Sequence, residues 1–230
     1  MTYKSYKSYP VAQDPALDGH ANMARDRELL AGAEAGVGGC RVYSWDGPWI
    51  SLGLMQNPER DLLPTNPVPW VVRPTGGKAV LHGHDVTVGL ALPLAELVKE
   101  GEQVERLSRS VKAVYRRVIA PLVVALRACG LPAKIAEDTR FVGGRGKTAD
   151  CFAHVSPNDV VHEVTGQKVC GCALRLTSTA VLVQASIPNG PPLVDPRLVY
   201  AAPAAMSAFR WDATGFAAAL GEAVCHNQPE

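Results

Sequence analysis

The sequence predicts an α+β fold in a single domain, with mixed or antiparallel sheets packed against helices. Three observations carry that expectation. Short strand-like runs lie on both sides of one long amphipathic stretch, which is the α+β pattern. Of the 230 residues, 47% are hydrophobic, enough to bury a sizeable core. No internal repeat and no low-complexity linker divides the chain. Residues 1–17 are expected to form a flexible N-terminus and 18–226 the folded domain, with no separate accessory domain.

The elements follow in order. Residues 1–12 include the polar repeat YKSYKSY and are expected to be loose. Asp18 is placed to cap a helix through HANMARDRELLAGAEA, whose apolar side carries Met23, Leu29 and Leu30. Gly36, Gly38 and Gly39 end it. GCRVYSW and WISLG read as strands around the turn Asp46-Gly47-Pro48. Residues 57–67 are rich in Pro and Asn and read as a loop or a short helix. VPWVVR, KAVLH and DVTVGLALPL read as three more strands.

The strongest helix signal runs from Gln103 to Cys129. Val104, Leu107, Val111, Val114, Val118, Leu122 and Leu126 recur at three- and four-residue steps. Gly130 and Pro132 stop it, and Pro121 is expected to kink it by removing a backbone donor. Arg106, Arg109, Lys112, Arg116 and Arg117 lie largely off that stripe. AKIAED reads as a strand, and residues 139–157 read as irregular. NDVVHEVT, KVCGCALRL and TAVLVQASI follow as strands, joined by turns at Gly166-Gln167 and Thr177-Ser178. ATGFAAALGEAVC reads as a closing helix.

Several function classes are disfavoured by composition. A formal net charge of +1 argues against a polybasic nucleic-acid binder. No apolar run reaches the length of a membrane span. The N-terminus lacks the apolar core of a signal peptide, so cytoplasmic residence is expected. The six cysteines contain no CxxC and no zinc-finger spacing, so neither a disulfide framework nor a metal site is predicted.

Two stretches stand out as chemistry. In RPTGGKAVLHGHD, residues 73–85, a glycine pair and Lys78 interrupt a run of strands. The pair reads either as a hairpin turn or as a place where backbone N–H groups approach an anionic ligand. In GQKVCGCA, Lys168 opens an apolar strand with Gly171 three residues on. That lysine reads either as a solvated edge residue or as part of a site that something approaches closely. Cys170 and Cys172 share a strand face, which lines either a ligand slot or the core, with the core as the expected place.

Together these residues resemble the lipoate/octanoate branch of the biotin–lipoate protein ligase and acyltransferase superfamily, across most of the chain. LDGHANMARDRELL looks like the family's opening helix, and Trp45, Ser51, Leu52, Gly53 and Gln56 look like its Trp…SLGxxQ strand pair. RPTGGKAVLHGHD looks like its arginine–glycine ligand loop, and GQKVCGCALR like its lysine strand. There are departures. Val72 stands where a second arginine is common, Lys78 replaces a third glycine, and Cys172-Ala173-Leu174 replaces the usual Ser-Ala-Gln.

The resemblance implies a class II biotin/lipoyl synthetase-like fold and an enzyme of protein lipoylation, moving an acyl group to a protein lysine. Two chemistries are open. An octanoyltransferase takes octanoate from acyl carrier protein through a cysteine thioester and needs no cofactor. A lipoate-protein ligase activates free lipoate with ATP and Mg2+. The pair Cys151-Phe152 looks like the nucleophile motif of the single-cysteine transferases, while Asn158-Asp159 retains a fragment of the ligase pattern. A non-catalytic acyl-binding module is a third possibility, because fold alone does not fix activity.

On the transferase reading the resemblance implies Cys151 and Lys168 as catalytic residues, with Lys168 favouring the thiolate. It implies Arg73, Gly76, Gly77, Lys78, Val80, His82, Gly171 and Ala173 as substrate-binding residues. Lys168 and the Gly76-Gly77 backbone would face the oxyanion. His82 or His154 would take the proton of the acceptor lysine. Val80, Leu81, Val169 and Ala173 would wall the acyl tail. The implied partners are octanoyl-acyl carrier protein or free lipoate, and a lipoyl-domain acceptor, with no nucleic acid and no membrane. These partners are expected to be acidic. The basic side of the 103–129 helix, or Arg140, Arg145 and Lys147, would receive them, unless those charges form an ordinary solvated face.

Overall fold

The computed structural model describes residues 10–143, 148–205 and 209–225. Its chain order begins with β1 (Val11–Gln13), α1 (Gly19–Glu34), β2 (Gly39–Tyr43), β3 (Ile50–Leu52) and α2 (Pro58–Asp61). There follow β4 (Trp70–Val72), β5 (Val80–Leu81), β6 (Asp85–Pro93), α3 (Leu94–Leu97), α4 (Val104–Ser108) and α5 (Val111–Ala128). The last elements are β7 (Ala133–Ile135), β8 (Val160–His162), β9 (Lys168–Leu176), β10 (Ala180–Pro188) and α6 (Phe216–Cys225).

Seven strands form one sheet in the order β1-β2-β6-β10-β9-β8-β7, antiparallel except for the β1–β2 pair. Its long middle strands bury both faces, as their nearly unbroken apolar runs require. Along β6, Val88, Leu90 and Leu92 face the main core, which α5 and α6 cover with Val114, Val118, Leu122, Phe216 and Leu220. Ala91 faces the other way, with Ala180 and Leu182 of β10, and receives Leu30 and Ala33 of α1. The sheet is therefore sandwiched between helices on both sides. A second, three-stranded sheet, β4-β3-β5, packs its Ile50, Leu52 and Leu81 against Leu62, Val199 and Tyr200.

The α+β class stands, and local signals explain most of it. Asp18 caps α1 by accepting the Ala21 N–H at 2.8 Å, and Gly36 leaves the helix at φ +89°. Two expectations need correction. The stretch from Gln103 to Cys129 is two helices, because Ser110 leaves helical geometry and its hydroxyl accepts the Ala113 N–H as a new cap. Val111, counted on the apolar stripe, is accordingly 52% exposed. Within the segment expected to be loose, Val11–Gln13 pairs with β2 from Cys40 to Val42 and satisfies its backbone groups there. Residues 1–9 of that segment lie outside the described residues. Among the described residues, no helix is long and apolar enough to cross a membrane.

Candidate active site

The small sheet delivers the glycine loop. Arg73 leaves the end of β4 and its guanidinium turns back under the loop, 4% exposed. It donates from Nε to Thr75 Oγ1 at 3.1 Å and from Nη1 to the Ser51 carbonyl at 2.8 Å and the Ser51 hydroxyl at 3.2 Å. Its Nη2 donates to the Gly76 carbonyl at 2.6 Å and the Lys78 carbonyl at 2.7 Å. Burial pulls its pKa below the usual guanidinium value, while the nearby Cys151, Tyr200 and Tyr43 work in the opposite direction. Arg73 thus braces the loop from inside, with all five donors committed.

Gly77 has φ +87°, a conformation that L side chains avoid. A Cβ there would stand 3.6 Å from the Ala173 methyl of β9, so loop and lysine strand lie side by side. A Cβ on Gly53 would sit 2.0 Å from the Gly77 carbonyl oxygen, so SLG and the loop are in backbone contact. Gly76 has open space around it.

The segment carrying Cys151 is laced to the same loop. Cys151 N–H donates to the Ala79 carbonyl at 2.9 Å, and Ala79 N–H donates to the Ala149 carbonyl at 2.8 Å. A single 3-10 turn, Cys151–Ala153, then presents the thiol. Lys168 Nζ donates to the Cys151 carbonyl at 2.7 Å and to its Sγ at 3.3 Å, and pairs with Asp159 at 2.9 Å. Burial lowers the pKa of this lysine, but the adjoining Cys151 and Asp159 outweigh it and the net shift is upward. Lys168 therefore stays an ammonium although it is 7% exposed. A Cβ on Gly171 would stand 3.3 Å from Sγ, so the sulfur rests against the face of β9 that carries Gly171 and Ala173.

Cys151 borders two cavities. The inner one is narrow, about 340 Å3 counting its open side, and is lined by Val80, Arg73, His82, Gly171 and Ala173, with Met23 and Trp45 also on its wall. The polar side chains of its wall bond to one another. His82 Nδ1 donates to Asp85 at 2.8 Å, and its Nε2 pairs with the Ser51 hydroxyl at 2.8 Å while the ring stacks on Trp45 at 4.0 Å. Trp45 Nε1 donates to Thr87, and the hydroxyls of Thr87 and Ser186 donate to Asp85. Burial works against the charge on Asp85, but His82 and the Ser186 hydroxyl hold its pKa down at about 2. Gln184 takes the Thr75 hydroxyl and donates to Asp26. With its polar groups paired in this way, the wall suits an apolar guest.

The outer groove holds about 1360 Å3, counting its open side, and is lined by Gly77, Lys78, Cys151, His154, Asp159 and Lys168. His154 Nε2 is buried and has no partner among the described residues.

The structure thus gathers Cys151, Lys168, Gly77, Gly171 and Ala173 around one sulfur, with Val80 and His82 on the inner side and Lys78 on the outer. Leu81 and Val169, expected as tail walls, pack into the hydrophobic cores of the small and large sheets. Cys170 is in the main core as expected, while Cys172, its sulfur 3.4 Å away, packs against that core and also lines both cavities. Lys112, Arg116 and Arg117 pair with Glu137, Asp138 and Glu102, as a solvated charged face would. Arg145 and Lys147 lie outside the described residues. Sequence reasoning missed Asp85 and Thr75 as braces, although both sit inside the quoted glycine stretch. It read Asp159 only as a motif fragment.

Comparisons with known proteins bear on the family and the fold. An octanoyltransferase LipM of an Exiguobacterium species is 33% identical over 156 residues, covering 64% of this chain and 53% of that protein. One from Kyrpidia tusciae is 31% identical over 175 residues, covering 72% of this chain and 60% of its own length. The chain therefore spans between half and two thirds of these relatives. In fold it resembles a lipoate-protein ligase A solved with ATP, at TM-score 0.60, 16% identity and coverage of 84% and 70%. It also resembles a bipartite lipoate protein ligase solved for Thermoplasma acidophilum, at TM-score 0.58, 18% identity and coverage of 88% and 69%. Residues 18–200, from the cap of α1 to the Tyr200 beneath the glycine loop, match the lipoyl protein ligase A/B catalytic domain, and the chain belongs to that family.

Proposed function

We propose that the chain is a cysteine-dependent acyltransferase that moves an octanoyl group from acyl carrier protein to a lysine of a lipoyl domain. The observation that carries this reading is Cys151 itself: its Sγ sits 3.3 Å from the Lys168 ammonium, where an inner cavity meets an outer groove. The octanoyltransferase names of the relatives support the same choice. Residues 18–226 would act as one catalytic unit. A reducing cytoplasmic setting suits its free thiols.

The reaction runs in two balanced steps. The Cys151 thiolate attacks the thioester carbonyl, the carrier's thiolate leaves and takes up a proton, and an octanoyl-Cys151 thioester remains. The neutral amine of the acceptor lysine then attacks that thioester. Its carbonyl carbon passes to nitrogen, nitrogen gives up a proton, and the Cys151 sulfur departs as thiolate. Lys168 and the backbone of Gly76-Gly77 face the oxyanion of both steps, where one donor contributes roughly 3 kcal/mol. Of the two histidines, His154 is the better proton acceptor: it lines the groove the amine enters, and its Nε2 is unpartnered among the described residues. His82 already bonds through both ring nitrogens. The tail enters past Val80 and Ala173, gaining about 0.8 kcal/mol per buried CH2.

The test is intact mass spectrometry after incubation with octanoyl-acyl carrier protein and no ATP. An octanoyl adduct is expected, absent in Cys151→Ala and discharged by a lipoyl domain. Lipoyl-domain modification that appears only with ATP, Mg2+ and free lipoate would replace this reading with the ligase.

A further inference from the structure

The residue before the nucleophile is an acid, and electrostatics alone disfavours it there. A carboxylate beside a thiol opposes formation of the thiolate. Asp150 is nevertheless 4% exposed and held by two backbone donors. Its Oδ1 accepts the Phe152 N–H at 2.9 Å, capping the turn that carries Cys151. Its Oδ2 accepts the Ala204 N–H at 2.7 Å, from a segment 54 residues away. Thr148 doubles the strap: its hydroxyl donates to the Ala202 carbonyl at 2.7 Å and accepts the Asp150 N–H at 3.2 Å.

The backbone around Cys151 therefore has three anchors. Its N–H is tied to the glycine-loop strand, its carbonyl to Lys168, and the following N–H to Asp150. Of these three anchors Asp150 also ties the turn directly to the 202–204 segment, at Ala204, beside the Thr148 bond to Ala202. We infer that Asp150 is a positioning residue, whose two carboxylate oxygens clamp the Cys151 turn against residues 202–204 and so fix Sγ beside Lys168 and over Gly171. This deepens the acyltransferase reading and rests on Cys151 as its nucleophile. Asp150 itself touches no reacting atom in that scheme.

The geometry and the charge of Asp150 predict opposite signs in one experiment. Asp150→Asn keeps the shape, removes the charge, and can satisfy one of the two N–H groups. Asp150→Ala removes both ties. The full chain and both variants are treated with iodoacetamide at neutral pH, and alkylation of Cys151 is followed by peptide mass spectrometry. If Asp150 contributed only its charge, both variants would alkylate faster, since the thiolate is the nucleophile. If it positions the sulfur beside the Lys168 ammonium, both alkylate more slowly, Ala more than Asn. Acylation by octanoyl-acyl carrier protein is measured alongside. Its kcat falls about 10- to 100-fold in Asp150→Ala with KM little changed, since a misplacement of about 1 Å carries a loss of that order.

Alkylation that is unchanged or faster, with kcat intact, would overturn the inference. Because alkylation needs no acyl donor, it tests Asp150 even if octanoyl transfer by the native chain fails. Circular dichroism on the isosteric Asn variant separates a misplaced thiol from an unfolded chain.

Discussion

At the residue scale the site turns on Lys168, which serves the fold and the proposed chemistry at once. Its ammonium is buried between the Cys151 carbonyl, the Cys151 sulfur and Asp159. Removing one partner of such a pair leaves an uncompensated charge, so Lys168→Met is expected to lower stability by roughly 3–5 kcal/mol. The double variant Lys168→Met/Asp159→Leu removes both charges and should regain most of that loss. Acylation should fall at least about 100-fold in both, because neither restores a cation at the sulfur. Urea denaturation and single-turnover acylation check the two arms. Recovery of acylation in the double variant would assign Lys168 to the fold alone. Lys168 and Cys151 stood out in the sequence because each belongs to a short motif. Asp159 was legible only as a residue type, since its partner lies nine positions on and across a strand pair. Asp150 and Asp85 were harder still. What each carboxylate holds is set by hydrogen bonds to Ala204 and Ser186, and no local pattern encodes them.

At the scale of elements the glycine loop is the part that answers most directly to substitution. Gly77 needs its positive φ, and a Cβ there would come within 3.0 Å of the Arg73 guanidinium. Gly77→Ala therefore strains the backbone by about 1–2 kcal/mol and pushes on the side chain that braces the loop. Gly76→Ala meets open space and should change stability by less than about 0.5 kcal/mol. Thermal unfolding of the two variants reads the contrast, and equal losses would show that the pair acts only as a flexible turn. Strands were legible where their alternation and turn residues agreed: the predicted KVCGCALRL coincides with β9 from Lys168 to Leu176. The break between α4 and α5 was missed because the apolar period runs through it. There a local side-chain cap at Ser110 overrides the period. The strand at Val11–Gln13 was missed for another reason: it has three residues and takes its stability from pairing with β2.

At the scale of the molecule, the charge map bears on where partners arrive. On α5, Lys112 and Arg116 lie against Glu137 and Asp138 just after β7, and Arg117 against Glu102 just before α4. Such a face presents paired charges, and its long-range field is weak at physiological salt. The outer groove beside Cys151 is bordered by Lys78, His154 and Lys168. An acidic carrier bringing its thioester to Cys151 would therefore gain little from α5. Lys112→Ala/Arg116→Ala is expected to leave the KM for octanoyl-acyl carrier protein within about twofold. It should shift stability by no more than about 1 kcal/mol, the usual contribution of exposed ion pairs. Steady-state kinetics at low and at physiological salt give the decision, because a steering role would appear as a salt-dependent rise in KM. A rise of about tenfold at low salt would return α5 to the docking surface. Invariance would leave recognition of the partner to the groove that carries the sulfur.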